Sequence, residues 1–171
     1  MPTVIVKPCP VVIPVAQLAR LKTVKYFVVH CSASSPKNEN IGVIDIDRMH
    51  KERGFACIGY HYFIKRDGTV EKGRPDDYAG AHVEGFNFVS LGIAMAGGID
   101  AAGKAENNYT PQQFASLLAL IKQLEAKYPT TPSVGHRDLS PDKNKDGKVT
   151  SNEWVKDCPC FDVKVWRKAQ K

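Results

Sequence analysis

Apolar positions along this chain follow two rhythms. Val24–His30 (VKYFVVH) and Ser90–Ala96 (SLGIAMA) are short, nearly continuous apolar runs, the pattern of strands buried on both faces. Tyr60–Lys65 and Thr69–Lys72 flank Arg66-Asp67-Gly68 and read as strand, turn, strand. Ser133–His136 is a further short strand. The helical rhythm appears at Val43–Arg53, where Ile44, Ile46 and Met49 stand among charges and Gly54 is the stop. It is clearest after Thr110. Thr110 suits the N-cap, Pro111 the first helical position, and Gln113 completes a capping box. Phe114, Leu117, Leu118, Ile121, Leu124 and Tyr128 then form an apolar stripe, ended by Pro129 and Pro132. Val163–Ala169 predicts a last short helix. Residues 1–22 read as an irregular, proline-punctuated arm, Ser32–Asn40 as a polar loop, and Arg137–Lys156 as a charged loop. Strands alternating with helices predict one α/β domain: a central mixed sheet flanked by helices.

Composition adjusts this picture little. A chain of 171 residues buries a single core without covalent staples. No apolar run is long enough to cross a bilayer. Pro10, Pro14, Gln17 and Arg20 interrupt the one mildly apolar N-terminal stretch, so no signal peptide is expected. The net charge of +6 suits a polyanionic partner, but the basic residues are scattered, and a solvated basic surface explains them equally well. The five cysteines are an odd number, which argues against a disulfide framework and for synthesis in a reducing compartment.

Three potential metal ligands sit at the ends of extended segments. His30 and His136 each close a strand. Cys158 precedes Pro159, which disfavours helix at the cysteine. Two imidazoles and one thiolate suit zinc, and three protein ligands leave a fourth position open. Spacing alone leaves the set unresolved. There is no HExxH and no paired CxxC, a lone histidine is more often structural, and Cys158-Pro-Cys160 could equally be packing or a redox pair.

The order of blocks narrows the choice. VVHCSAS, GFACIGYHYFIKRDGTVEKGR, GAHVEGFN, SLGIAMAGG, VGHRDLSP and KDCPCFD follow one another between Val24 and Trp166. Together they resemble the N-acetylmuramoyl-L-alanine amidases of phage-lysozyme type, whose superfamily includes the peptidoglycan recognition proteins. The resemblance implies zinc on His30, His136 and Cys158, with Tyr60 and Lys156 as catalytic groups. A lysine beside the metal stabilises an oxyanion, and a tyrosine hydroxyl hydrogen-bonds the reacting oxygen. His82 and Asn87, in GAHVEGFN, are candidate substrate contacts. His61 should face away from Tyr60 and be structural, His50 should be a surface or packing residue, and Cys31 should point into the core.

One segment departs from the family pattern. Asp142–Glu153 (DKNKDGKVTSNE) places Asp142, Asn144, Asp146, Lys148 (by its carbonyl), Thr150 and Glu153 at the donor positions of an EF-hand calcium loop, with Gly147 at the turn. Pro141 and three lysines oppose the assignment, whose alternative is a solvated charged loop. The expected organisation is an arm over 1–22 and a catalytic domain over 23–171 with this loop, 142–153, inserted.

The resemblance implies a zinc-dependent hydrolase cleaving the amide between N-acetylmuramic acid and L-alanine, as a phage or prophage endolysin. Such a protein would be a monomer made in the cytoplasm and acting on the bacterial wall, with peptidoglycan as its partner and neither nucleic acid nor membrane insertion. The alternative is a non-catalytic peptidoglycan-binding receptor module, which typically lacks the cysteine ligand.

Overall fold

In the computed structural model, which describes residues 3–170, the apolar run around Val28 forms β2 (Tyr26–Cys31). It lies between β5 (Ser90–Met95) and β6 (Ser133–Gly135), parallel to both. β5 also pairs in parallel with β3 (Tyr62–Ile64), and β3 pairs antiparallel with β4 (Val70–Lys72). β1 (Val6–Lys7) completes the mixed six-stranded sheet, in the order β1-β4-β3-β5-β2-β6. This is the expected fold class. The expected irregular arm is partly regular, however. Val6 and Lys7 run parallel to Val70 and Glu71, and Val4, Val6 and Leu21 pack on the core. Two residues are too short a run for periodicity to reveal; the exposed edge of β4 supplies their order.

Side-chain alternation divides β2 between two layers. Phe27, Val29 and Cys31 face the larger core with Leu91, Ile93 and Met95 of β5. α2 (Pro111–Lys127) covers that face with Leu117, Leu120, Ile121 and Leu124. Each fully buried aliphatic side chain contributes about 1.5–3 kcal/mol. The predicted capping box is formed: Gln113 N–H donates to Thr110 Oγ1 and Thr110 N–H to Gln113 Oε1, each at 3.1 Å. Gln113 also donates from Nε2 to the carbonyls of Ile64 (3.2 Å) and Ala96 (2.9 Å), tying α2 to the ends of β3 and β5. α3 (Val163–Lys168) joins this layer, stacking Trp166 near Phe161 and Phe114.

The other sheet face carries α1 (Val43–Glu52), with Val43 and Ile46 against Ile58, Phe63 and Ala94. Val28 and His30 point to this second side. Val28 meets Val83 and Val134, and His30 stands at the strand end where the site is built.

Candidate metal centre and groove

His30 and His136 reach the same place because β2 and β6 are parallel neighbours ending together. Gly135 closes β6, and His136 opens a short 3-10 turn, His136–Leu139. Cys158 arrives from the far end of the charged loop. Its carbonyl accepts from Arg137 N at 2.9 Å, and its Sγ accepts from Cys31 N at 3.2 Å. The ligand atoms of His30, His136 and Cys158 all lie within 4.8 Å of one another. His30 Nδ1 is 3.9 Å from Cys158 Sγ.

The donor set fits a zinc-class cation. His136 Nδ1 is buried with no hydrogen-bond partner, a costly state unless a ligand completes it. Burial, reinforced by His82, His136 and Lys156, holds the pKa of His30 well below the usual imidazole range. Burial and then Lys156 push His136 down to about 4. Both rings are therefore neutral, as metal ligation requires. Burial raises the Cys158 thiol, so a cation is needed to favour its thiolate.

Around this group lies a groove of about 520 Å³, lined by His50, Arg53, Tyr60, Asn87, His136 and Lys156 among others. The Tyr60 ring is 5.1 Å from that of His30, and burial raises its hydroxyl pKa, keeping it a proton donor. Lys156 is exposed at the groove edge. Its segment is not extended as the sequence suggested: Cys158 N–H donates back to Lys156 O at 3.0 Å, making a tight turn. Asp157 pairs with Arg137 at 2.9 Å, and the Arg137 guanidinium lies 4.2 Å over the Trp154 ring. Arg137, the residue after His136, thus ties the Lys156 segment to the 3-10 turn that His136 opens, a contact that sequence reasoning missed.

His82 stands where a candidate substrate contact would. It lines the groove, yet its polar atoms turn inward. Nδ1 is 2.9 Å from His30 Nε2, and Nε2 is 3.4 Å from Ser90 Oγ. The ring fits only because position 92 is glycine; a Cβ there would stand 2.7 Å from His82 Cγ. Asn87 Oδ1 accepts from His82 N (2.8 Å) and Val83 N (2.9 Å), so this oxygen shapes the loop at the groove wall. His61 is buried and structural as expected: Nδ1 accepts from Gly92 N at 3.0 Å, and Nε2–H donates to Tyr78 O at 2.8 Å. His50 is more than a surface or packing residue. Its Nδ1 accepts from Gly59 N at 2.9 Å, and its ring lies 5.3 Å from that of Tyr60. Cys31 lies in the core as expected, and its backbone N–H serves Cys158.

The calcium-type donors are arranged differently from the expectation. In an EF-hand loop the closing glutamate offers both oxygens to the ion. Instead Oε1 accepts from Lys143 N and Asn144 N (2.9 and 3.2 Å), and Oε2 from Thr150 N (2.8 Å). The loop's own N–H groups satisfy the carboxylate. Asp142 Oδ2 accepts from Gly147 N at 2.8 Å, Asp142 Oδ1 is buried without a partner, and Asp146 accepts from Lys148 N. Among the described residues, His30, His136 and Cys158 form the one group of three converging His, Cys, Asp or Glu donors.

The chain is similar to several known proteins. Residues 20–151 match the family model for N-acetylmuramoyl-L-alanine amidase. The endolysin of Enterobacteria phage K11 is 40% identical over 152 residues, covering 89% of this chain and 91% of its own. The N-acetylmuramoyl-L-alanine amidase LysC from Clostridium intestinale URNW superposes with a TM-score of 0.65 at 31% identity, over 86% of this chain and 84% of its own. Bumblebee PGRP-SA shares the fold, with a TM-score of 0.70 at 18% identity, over 98% of this chain and 95% of its own. The chain belongs to the N-acetylmuramoyl-L-alanine amidase family and is a peptidoglycan-hydrolysing amidase.

Proposed function

We propose that hydrolysis depends on zinc held by His30, His136 and Cys158, and that Tyr60 and Lys156 act directly on the reacting amide between N-acetylmuramic acid and L-alanine. The observation that carries the zinc assignment is the converging buried donor set with its unpartnered His136 Nδ1. Zinc, when bound, supplies Lewis-acid polarisation of the carbonyl and lowers the pKa of water. The protein's own groups do the rest. Tyr60 stays protonated and donates to the carbonyl oxygen as negative charge develops. The Lys156 ammonium at the groove edge stabilises the same charge. His82 holds the orientation and tautomer of His30. The receptor reading is disfavoured because all three donors, including the cysteine, are present together.

The proposal extends to biology through the likeness to the phage K11 endolysin: synthesis in the cytoplasm and action on the cell wall as a monomeric endolysin, with residues 1–22 as an arm on the catalytic domain. Among the described residues, no helix is long and apolar enough to cross a membrane. A second cation, calcium, is proposed for the Asp142–Glu153 loop. The donor order and the buried, unpaired Asp142 Oδ1 support it, and binding requires Glu153 to exchange its N–H partners for the ion.

Metal analysis of the purified protein tests the zinc assignment. About one zinc per chain is expected, with wall hydrolysis lost on chelation and restored by zinc but not magnesium. Full hydrolysis by metal-free protein would overturn it.

A further inference from the structure

Three cysteines meet on the core side of the metal centre. Cys31 ends β2 beside the ligand His30, and Cys160 follows the ligand Cys158 across Pro159. All three pack against the larger core. Cys31 N–H donates to Cys158 Sγ at 3.2 Å, and the Cys31 thiol is in hydrogen-bond contact with the thiols of both Cys158 and Cys160. Gly98 opens the space in which they meet. A Cβ there would stand 2.4 Å from Cys31 Cβ and 3.1 Å from its Sγ, while the Gly98 carbonyl accepts from Cys160 Sγ at 3.1 Å.

The chain around Cys160 is held in this position. The Tyr109 hydroxyl donates to Pro159 O at 2.8 Å, fixing the peptide that leads into Cys160. Cys160 itself has a φ of 75°, a left-handed conformation uncommon for a residue with a side chain and kept only by its surroundings. Zinc on Cys158 would commit that sulfur and leave Cys31 and Cys160 as the neighbouring free thiols. Cys160 is partly exposed and Cys31 is buried, so an oxidant reaches Cys160 first.

We propose that Cys31 and Cys160 are a disulfide-forming pair, which clips the two ligand-bearing segments together around an intact zinc site. The proposal rests on the zinc reading above. The oxidant is a small-molecule disulfide such as oxidised glutathione. The Cys160 sulfur attacks one sulfur of that disulfide, forming a mixed disulfide and releasing one glutathione, which takes the Cys160 proton. The Cys31 sulfur then attacks the Cys160 sulfur, forming the protein disulfide and releasing the second glutathione with the Cys31 proton. Two protein thiols are oxidised and one disulfide is reduced. The core closes with all five cysteines free, so the bond is no requirement of folding. A reducing compartment keeps the pair open and an oxidising one closes it. The bond would join β2 to a segment near the other end of the chain, and a cross-link closing so long a loop restricts the unfolded state strongly.

The test incubates zinc-loaded protein with oxidised glutathione, digests it without reduction and maps the disulfides by mass spectrometry. Zinc content and melting temperature are measured before and after. A Cys31–Cys160 bond should form with zinc content and hydrolysis unchanged, and the melting temperature should rise by about 5 °C or more, reversed by dithiothreitol. Cys160→Ser should lose the bond and the rise while the reduced variant hydrolyses peptidoglycan as the wild type does. Cys31→Ala should stop at a glutathione adduct on Cys160. In the wild type, no disulfide, a persistent glutathione adduct on Cys160, or a bond through Cys158 with release of zinc would overturn the clip and leave the zinc reading intact. Protein that holds no zinc before the oxidant is added would overturn both.

Discussion

His82 Nδ1 lies 2.9 Å from His30 Nε2, which leaves His30 Nδ1 facing Cys158 Sγ. Once Nδ1 is a ligand, Nε2–H is the donor to His82. His82 Nε2–H then faces Ser90 Oγ, and Ser90 donates to Phe86 O at 2.8 Å. This ordered relay fixes the tautomer of one ligand from a loop 52 residues away. His82→Ala should weaken zinc affinity roughly 10–100-fold. Competition with a chromogenic chelator measures this, and unchanged affinity would contradict the relay.

Tyr60 is held between His30 and His50, with its hydroxyl protonated by burial. Tyr60→Phe removes one donor and keeps the ring. Hydrolysis should fall by about 10²–10³-fold with zinc content and melting temperature close to wild type. A fall that simply tracked loss of zinc would assign Tyr60 a packing role instead.

Two histidines outside the metal group set an acid limit on stability. Burial pushes His50 and His61 each down to about 4, and each accepts a backbone N–H through Nδ1, which a protonated ring cannot do. Unfolded, they titrate near 6.5. Between these values the unfolded chain binds more protons, so stability is full above pH 6.5, falls as the pH drops toward 4, and levels off below it. Melting temperature against pH should show this slope, and His61→Asn should make it shallower while the His50 contribution remains. A wild-type profile level from pH 7 to 4.5 would refute the assignment.

The Asp142–Glu153 loop is tested by adding calcium to zinc-loaded protein. The melting temperature should rise by about 2 °C or more with calcium well above its dissociation constant, and Glu153→Gln should remove the rise. No shift at millimolar calcium would leave the loop held by Glu153 hydrogen bonds alone.

The sequence read the frame well where local rules govern. The α2 capping box and the buried run of β2 follow from spacing within one segment, and His30 and His136 each fall within one residue of the strand end that the spacing predicted. It read less well where partners are remote. Nothing near His82 in the chain indicates that its ring is caged by Gly92 and turned toward His30. Nothing near Glu153 indicates that Lys143 and Asn144 would claim its carboxylate from ten and nine residues away. β1 depends on an open edge of β4 more than 60 residues on. The tight turn at Lys156 forms because Cys158 is pulled toward Cys31 and Arg137, contacts that the local preference of a pre-proline residue does not encode.

The site assignment turns most directly on Cys158. Purified peptidoglycan is digested with the wild type and with Cys158→Ala, and the released fragments are identified by mass spectrometry. The wild type should release stem peptides with a free L-alanine amino terminus and leave glycan with intact lactyl groups, while the variant releases neither. The same peptides appearing at wild-type rate from Cys158→Ala would contradict the assignment.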